Sequence, residues 1–210
     1  MPHISHGLSS LALAVACLAA GLFMTAPLTA AEPLQIADSA DYFPDRIGTR
    51  WQYRGQISEG ALQTIDNKFF ANVSEVTGTK KLNGVTVTVF HDTNPGNHGE
   101  SDSYYRRDVV GMVYYGSDPG TPLEKQIVPY QIVRFPITIP STFQQFDRKG
   151  LDFGSDMDRD GVNEKVDMVG TTSVIGREVV TVPAGTYQDA IKVEARMTMA
   201  IHLSGGDRPA

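Results

Sequence analysis

The chain has 210 residues, 41% of them hydrophobic and 20% charged, with a formal net charge of −6 at pH 7. Those values suit an ordinary globular domain and exclude a disordered or collagen-like chain. The basic residues are scattered, with nothing longer than the pairs Lys80-Lys81, Arg106-Arg107 and Arg148-Lys149, which argues against a nucleic-acid partner.

Residues 8–28 are apolar and residues 1–31 contain no Asp, Glu, Lys or Arg. Small residues at Thr29 and Ala31 fit the cleavage rule for a secretory signal segment, so residues 1–31 are expected to be a signal peptide cut near Ala31. Two other readings stay open. The run of about 20 apolar residues is long enough to span a bilayer uncleaved. Ala14-Val15-Ala16-Cys17 also faintly resembles a lipobox, although an apolar stretch follows the cysteine where a polar tether is usual. Cys17 is the only cysteine, so residues 32–210 hold no disulfide, no thiolate nucleophile and no Cys-bound zinc.

The exported part reads as short strands between turns. Asn83-Gly84, Asn94-Pro95-Gly96, Asp118-Pro119-Gly120, Asp160-Gly161 and Pro183-Ala184-Gly185 are turn signals. Residues 60–70 are ambiguous: Leu62, Ile65 and Phe69 have helical spacing, but the run Phe69-Phe70-Ala71-Asn72-Val73 favours a strand. Val85-Thr86-Val87-Thr88-Val89-Phe90 alternates apolar with polar, and Asn83-Gly84 before it predicts a hairpin. Residues 103–107 and 112–115 form a second predicted hairpin, turning through residues 108–111. Residues 171–182 and 190–201 form a third, joined by residues 183–189. No long helical pattern and no βαβ alternation appear. The expected class is all-β and antiparallel, a curved sheet or partly open barrel, as a single domain over residues 32–210.

One loop carries chemistry. Asp156-Met157-Asp158-Arg159-Asp160-Gly161 fits the D-x-D-x-D-G pattern. Alternate carboxylates converge on one point when the chain turns sharply at the glycine, and calcium needs six to eight oxygens. Asp156, Asp158 and Asp160 are the expected ligands, with the Val162 carbonyl at position 7. Asp167 at position 12 can close the site, and Glu164 at position 9 is a substitute or water-mediated ligand. Asn163 at position 8 and the absence of flanking helices depart from an EF-hand, so the expectation is a calcium loop between strands.

Other candidates are weaker. His91, Asp92, His98, Glu100 and Asp102 flank Asn94-Pro95-Gly96 and could hold zinc or copper, but a polar hairpin tip explains them as well. No G-x-S-x-G, GxGxxG or Walker loop is present, and no catalytic residue emerges. Asn72-Val73-Ser74 is a sequon of a kind common by chance. Phe69-Phe70, Tyr104-Tyr105 and Tyr114-Tyr115 put aromatics on both faces of their strands, as core or as the wall of an apolar groove.

Two segments together resemble a family. Tyr42-Phe43-Pro44, Gly48 and Trp51-Gln52-Tyr53 open the exported part. Val182-Pro183-Ala184-Gly185-Thr186-Tyr187, then Ala190 and Lys192-Val193, lie near its end. The pair resembles uncharacterised exported bacterial proteins with a "YFP…G..W.Y" strand and a "VPAGT-aromatic" hairpin. These are distantly similar to periplasmic domains of lipoprotein-carrier type. The resemblance implies a curved antiparallel sheet around an apolar cavity, and no catalytic residues. Such proteins usually continue into a further strand, which opens the reading that the C-terminal end here is truncated and a sheet edge left unpaired.

The leading expectation is therefore a non-enzymatic periplasmic or secreted β domain, stabilised by calcium and binding an apolar, lipid or envelope ligand. Membrane contact is expected only through the leader. A structural or protein-interaction module of the envelope is the alternative, and a hydrolase with an unrecognised site is a third.

Overall fold

β-branched and aromatic residues broken by Asn, Gly and Pro favour antiparallel hairpins between neighbours in sequence. The computed structural model describes residues 33–37, 39–57 and 69–205. Its strands are β1 (Leu34–Ile36), β2 (Arg50–Gln56), β3 (Phe69–Leu82), β4 (Val85–Asp92), β5 (Ser101–Asp108) and β6 (Gly111–Asp118). After a single helical turn, α1 (Glu124–Ile127), come β7 (Tyr130–Arg134), β8 (Ile137–Ile139), β9 (Ser141–Asp152), β10 (Lys165–Val182) and β11 (Gly185–His202). The signal-segment expectation for residues 1–31 lies outside the described residues, as does most of the ambiguous stretch 60–70. From Phe69 onward that stretch is strand.

The class is all-β, as expected. Strands β2 to β7 form one antiparallel sheet in sequence order, curled into a half-barrel. Strands β11, β10 and β9 form a second sheet, and β1 pairs with β8. The Asn83-Gly84 hairpin forms, with φ of 49° and 84° at the two turn residues, the left-handed values a tight turn needs. The second hairpin forms as β5–β6, with Asp108 opposite Gly111.

The third hairpin is longer and tighter than its sequence suggests. Val182 pairs with Gly185, so the loop is only Pro183-Ala184, and residues 185–189 are strand rather than connection. Proline needs no ladder partner for its nitrogen, and Gly185 takes φ 146°, so the turn closes at once. The helical turn α1 has no sequence periodicity to announce it, being one turn long.

Two features connect the sheets. Phe146 of β9 is 3% exposed and packs with Ile127, Val166 and Met168. It lies over its register partner Gly170, where a Cβ would come 2.6 Å from the ring, so the missing side chain makes room for the aromatic. Below it, Ile36, Ile137 and Val174 join β1, β8 and β10.

Candidate functional site

The acidic loop connects β9 to β10, with Asp152 and Lys165 paired at its base. The Phe153 N–H donates to the Glu164 carbonyl at 2.9 Å, and the Glu164 N–H to Ser155 O at 3.0 Å. Within that frame Arg159 and Gly161 adopt φ of 63° and 92°, coiling the chain so that its amides point inward. Asp156 Oδ1 accepts the N–H of Arg159 at 2.6 Å and of Asp160 at 3.2 Å, and Oδ2 accepts that of Gly161 at 2.8 Å. Asp160 Oδ1 accepts the Val162 N–H at 2.9 Å.

Glu164 is fully buried. Its Oε1 accepts the N–H of Met157 at 3.0 Å and of Asp158 at 3.2 Å, and its Oε2 that of Ser204 at 2.7 Å. One carboxylate oxygen each from Asp156, Asp158 and Glu164 fall within 4.8 Å of one another. Among the described residues, no Lys, Arg or His forms an ion pair with these three. Gathered anions are unfavourable unless donors or a cation compensate. Here amides supply part of that compensation, and the oxygen donor set suits a hard divalent ion.

Of the other residues expected in the site, Asp160 is not in that group of three. Its Oδ2 accepts the Ser204 hydroxyl at 2.9 Å, and the Val162 carbonyl faces the same hydroxyl at 3.5 Å. Asp167 lies on β10, opposite Ala200. Its Oδ1 accepts the Gly150 N–H at 2.8 Å, and its Oδ2 faces His202 Nε2 at 3.3 Å and Lys149 Nζ at 3.6 Å. The Gly150 amide, then the His202 side chain, hold the Asp167 carboxyl below its ordinary value. Residues beyond the loop also take part: besides Ser204, the Gly205 N–H donates to Asp158 Oδ2 at 2.8 Å. The loop thus fastens the chain immediately after β11, a contact across some 40 residues that loop arithmetic does not reach.

The second feature lies between the sheets. Strand alternation and register put Trp51, Phe90, Tyr105, Tyr114 and Tyr130 on one face of the six-stranded sheet. Phe43 docks onto this row, 5.9 Å from Phe90 and 5.7 Å from Tyr105 between ring centroids, and the row ends on Phe146, 5.0 Å from Tyr130. The Phe43 segment is anchored by Arg107, whose Nε donates to Asp45 Oδ2 at 2.9 Å and whose Nη2 donates to the Phe43 carbonyl.

Beside the row lies an open groove of about 480 Å³, lined by Tyr105, Tyr114, Tyr130, Met168, Met197 and Met199. A second recess of about 370 Å³ is walled by Phe135, Phe143, Val174, Ile191 and Val193. Ile132 borders both, and the first of them is an apolar trough. Its charged group is Glu124, which accepts the Tyr114 hydroxyl and, at 3.0 and 2.9 Å, the Ser117 hydroxyl.

Burial pushes the Tyr105 hydroxyl up to about 12, against the pull of its Ser103 hydrogen bond. Burial raises Tyr114 still further, helped by its bond to Glu124, and burial then the Glu124 charge raise Tyr130. A raised tyrosine stays neutral in the fold after its unfolded counterpart ionises. Its contribution is complete below the ordinary value of 10.0 and is lost as pH climbs toward about 12. For Tyr105 alone that interval corresponds to about 2–3 kcal/mol. In alkaline titration the phenolate absorbance that Tyr105→Phe removes from the wild type should therefore develop only together with the loss of β circular dichroism. Appearance of that difference signal near pH 10 with the fold intact would contradict this.

His91 and Asp102 meet as cross-strand neighbours of β4 and β5, with Nδ1 to Oδ1 at 2.9 Å. Among the described residues the only group of three or more metal-ligating side chains is the one in the acidic loop. No described helix is long and apolar enough to cross a membrane. Compared with known proteins, the chain matches no protein family, no curated protein and no solved structure.

Proposed function

We propose that this protein is an exported, non-enzymatic β domain that carries an apolar ligand in the trough between its two sheets. The observation that supports this most is the trough itself. Aromatic and methionine side chains from β5, β6, β7, β10 and β11 line it, with a single carboxylate, Glu124, at its wall. Ligand sites are concave and mostly apolar with few polar groups, and methionine adapts its shape to flexible apolar chains. An acyl chain or a lipid tail is the class of ligand that such a lining accepts. Export is read from residues 1–31, whose apolar run and small residues near Ala31 suit a secretory leader.

Calcium is the ion proposed for Asp156, Asp158 and Glu164. Its role in this reading is structural. The loop holds Ser204 and Gly205, and so fixes the end of β11, the strand that supplies Met197 and Met199 to the trough wall.

The test is titration with the neutral apolar fluorophore N-phenyl-1-naphthylamine. The wild-type protein should enhance its emission saturably. Met197 is 54% exposed, so Met197→Arg should fold normally. It should weaken binding by at least tenfold by placing a charge in the trough. No saturable enhancement by the wild type, or equal binding by the folded variant, would remove the carrier reading.

A further inference from the structure

Strand β11 is the outer strand of its sheet, bonded to β10 alone among the described strands. From Val193 to His202 it runs through ten consecutive register pairs with no bulge. A long regular edge of this kind presents a row of main-chain donors and acceptors to any incoming strand. Natural edges are commonly guarded by prolines, bulges or charges turned toward the core face. This one has no proline, bulge or inward-turned charge over that stretch, its charges Glu194 and Arg196 lying on the opposite face.

Its core-side face carries Val193, Ala195, Met197, Met199 and Ile201, the partners of Val174, Thr172, Gly170, Met168 and Val166. On β10 those positions are all buried, Gly170 beneath the Phe146 ring, while on β11 Val193, Met197 and Met199 are each about half exposed. The apolar surface therefore continues past the sheet's last strand with nothing described beside it. The opposite face carries Lys192, Glu194 and Arg196, charges that alternate in sign, all exposed, with Arg196 Nε 2.5 Å from Glu194 Oε1 and Lys192 Nζ 3.3 Å from Glu178 Oε2 within the chain.

That alternation selects the occupant. An edge bearing one sign of charge would repel its own copy. Here an antiparallel copy centred on Ala195 brings Glu194 opposite Arg196 and Arg196 opposite Glu194, two cross-strand pairs of opposite charge. The same register sets Val193 beside Met197 and Ile191 beside Met199 on the apolar face, and Ala195 beside its counterpart. Opposite-charge and apolar neighbours across an antiparallel pair are both stabilising. We propose that two chains associate through β11 in this register, joining their three-stranded sheets into one. Because the contact is made along the main-chain edge, the apolar face of β11 stays directed at the trough, and the partner strand extends the apolar wall.

Sedimentation velocity of the purified protein across the micromolar range tests association, and two kinds of variant test the register. The wild type should be a reversible dimer. Glu194→Arg, at an exposed position, sets arginine against Arg196 of the second copy and should weaken dimerisation at least tenfold with unchanged circular dichroism. The double variant Glu194→Arg/Arg196→Glu restores opposite charges and should recover the dimer. In a Cys17→Ser background, Ala195→Cys should be linked to its own copy by a short bifunctional thiol reagent in high yield, whereas Val193→Cys should not. A monomer throughout the range, a dimer indifferent to Glu194→Arg, or equal linkage at both cysteine positions would overturn the proposal.

Discussion

Phe146→Ala is expected to destabilise the protein by about 3–5 kcal/mol, the range for truncation of a buried aromatic. The ring stands where the two sheets meet, touching Tyr130 of the half-barrel at 5.0 Å between centroids and packing with Ile127, Val166 and Met168. The cost of such a truncation depends on how far the surroundings can collapse into the space. Directly beneath the ring is Gly170, which has no side chain to move in, and the buried neighbours Val166 and Met168 are held within the long strand β10. The cavity should therefore persist. Urea denaturation measures this directly, with Val109→Ala as the control: Val109 is 93% exposed in a hairpin tip and its truncation should change stability by less than about 0.5 kcal/mol. A loss below about 1 kcal/mol for Phe146→Ala would mean that the sheets are not joined through this residue.

Calcium is expected to raise the melting temperature, by roughly 5–10 °C when the free ion is about a hundredfold above its dissociation constant. A ligand that binds only the folded state then contributes about 2.7 kcal/mol, and about 1 kcal/mol moves the midpoint of a domain this size by roughly 2–4 °C. Asp158→Ala and Glu164→Gln should each abolish the rise, since each removes an oxygen from the close group of three. Asp167→Asn separates two accounts of the site. If position 12 closes the loop, as in an EF-hand, the rise disappears. If Asp167 serves the Gly150 amide and His202, as its contacts indicate, the rise survives. Identical calorimetric melts of the wild type in calcium and in chelator would end the clip proposal.

The contrast between Asp167 and Glu164 shows where sequence reasoning stopped. Spacing alone counts twelve positions from Asp156 and arrives at Asp167. Yet Val166 and Met168 are buried on one face of β10, and strand alternation sends the residue between them to the other face. That signal was present in Val166-Asp167-Met168 and competed with the motif count. Glu164 reads from the sequence only as a substitute or water-mediated ligand, because nothing local announces that its carboxylate is fully buried and lies close to those of Asp156 and Asp158.

What the sequence determined by itself was local. Turn residues with defined backbone preferences fixed the Asn83-Gly84 hairpin and the place, though not the length, of the turn after Val182, alternation fixed the strands on either side, and the all-β antiparallel class follows from those hairpins in series. The D-x-D-x-D-G run likewise fixed a coiled acidic loop, since its glycine and carboxylates act within a few residues. Tertiary structure alone decided which distant strands share a surface. It aligned Trp51, Phe90, Tyr105, Tyr114, Tyr130 and Phe146 into one row, brought the methionines of β10 and β11 beside it, and folded Ser204 onto the loop. Those relations depend on how the sheets curl and on contacts between residues far apart in the chain, whereas spacing carries information only about neighbours along it.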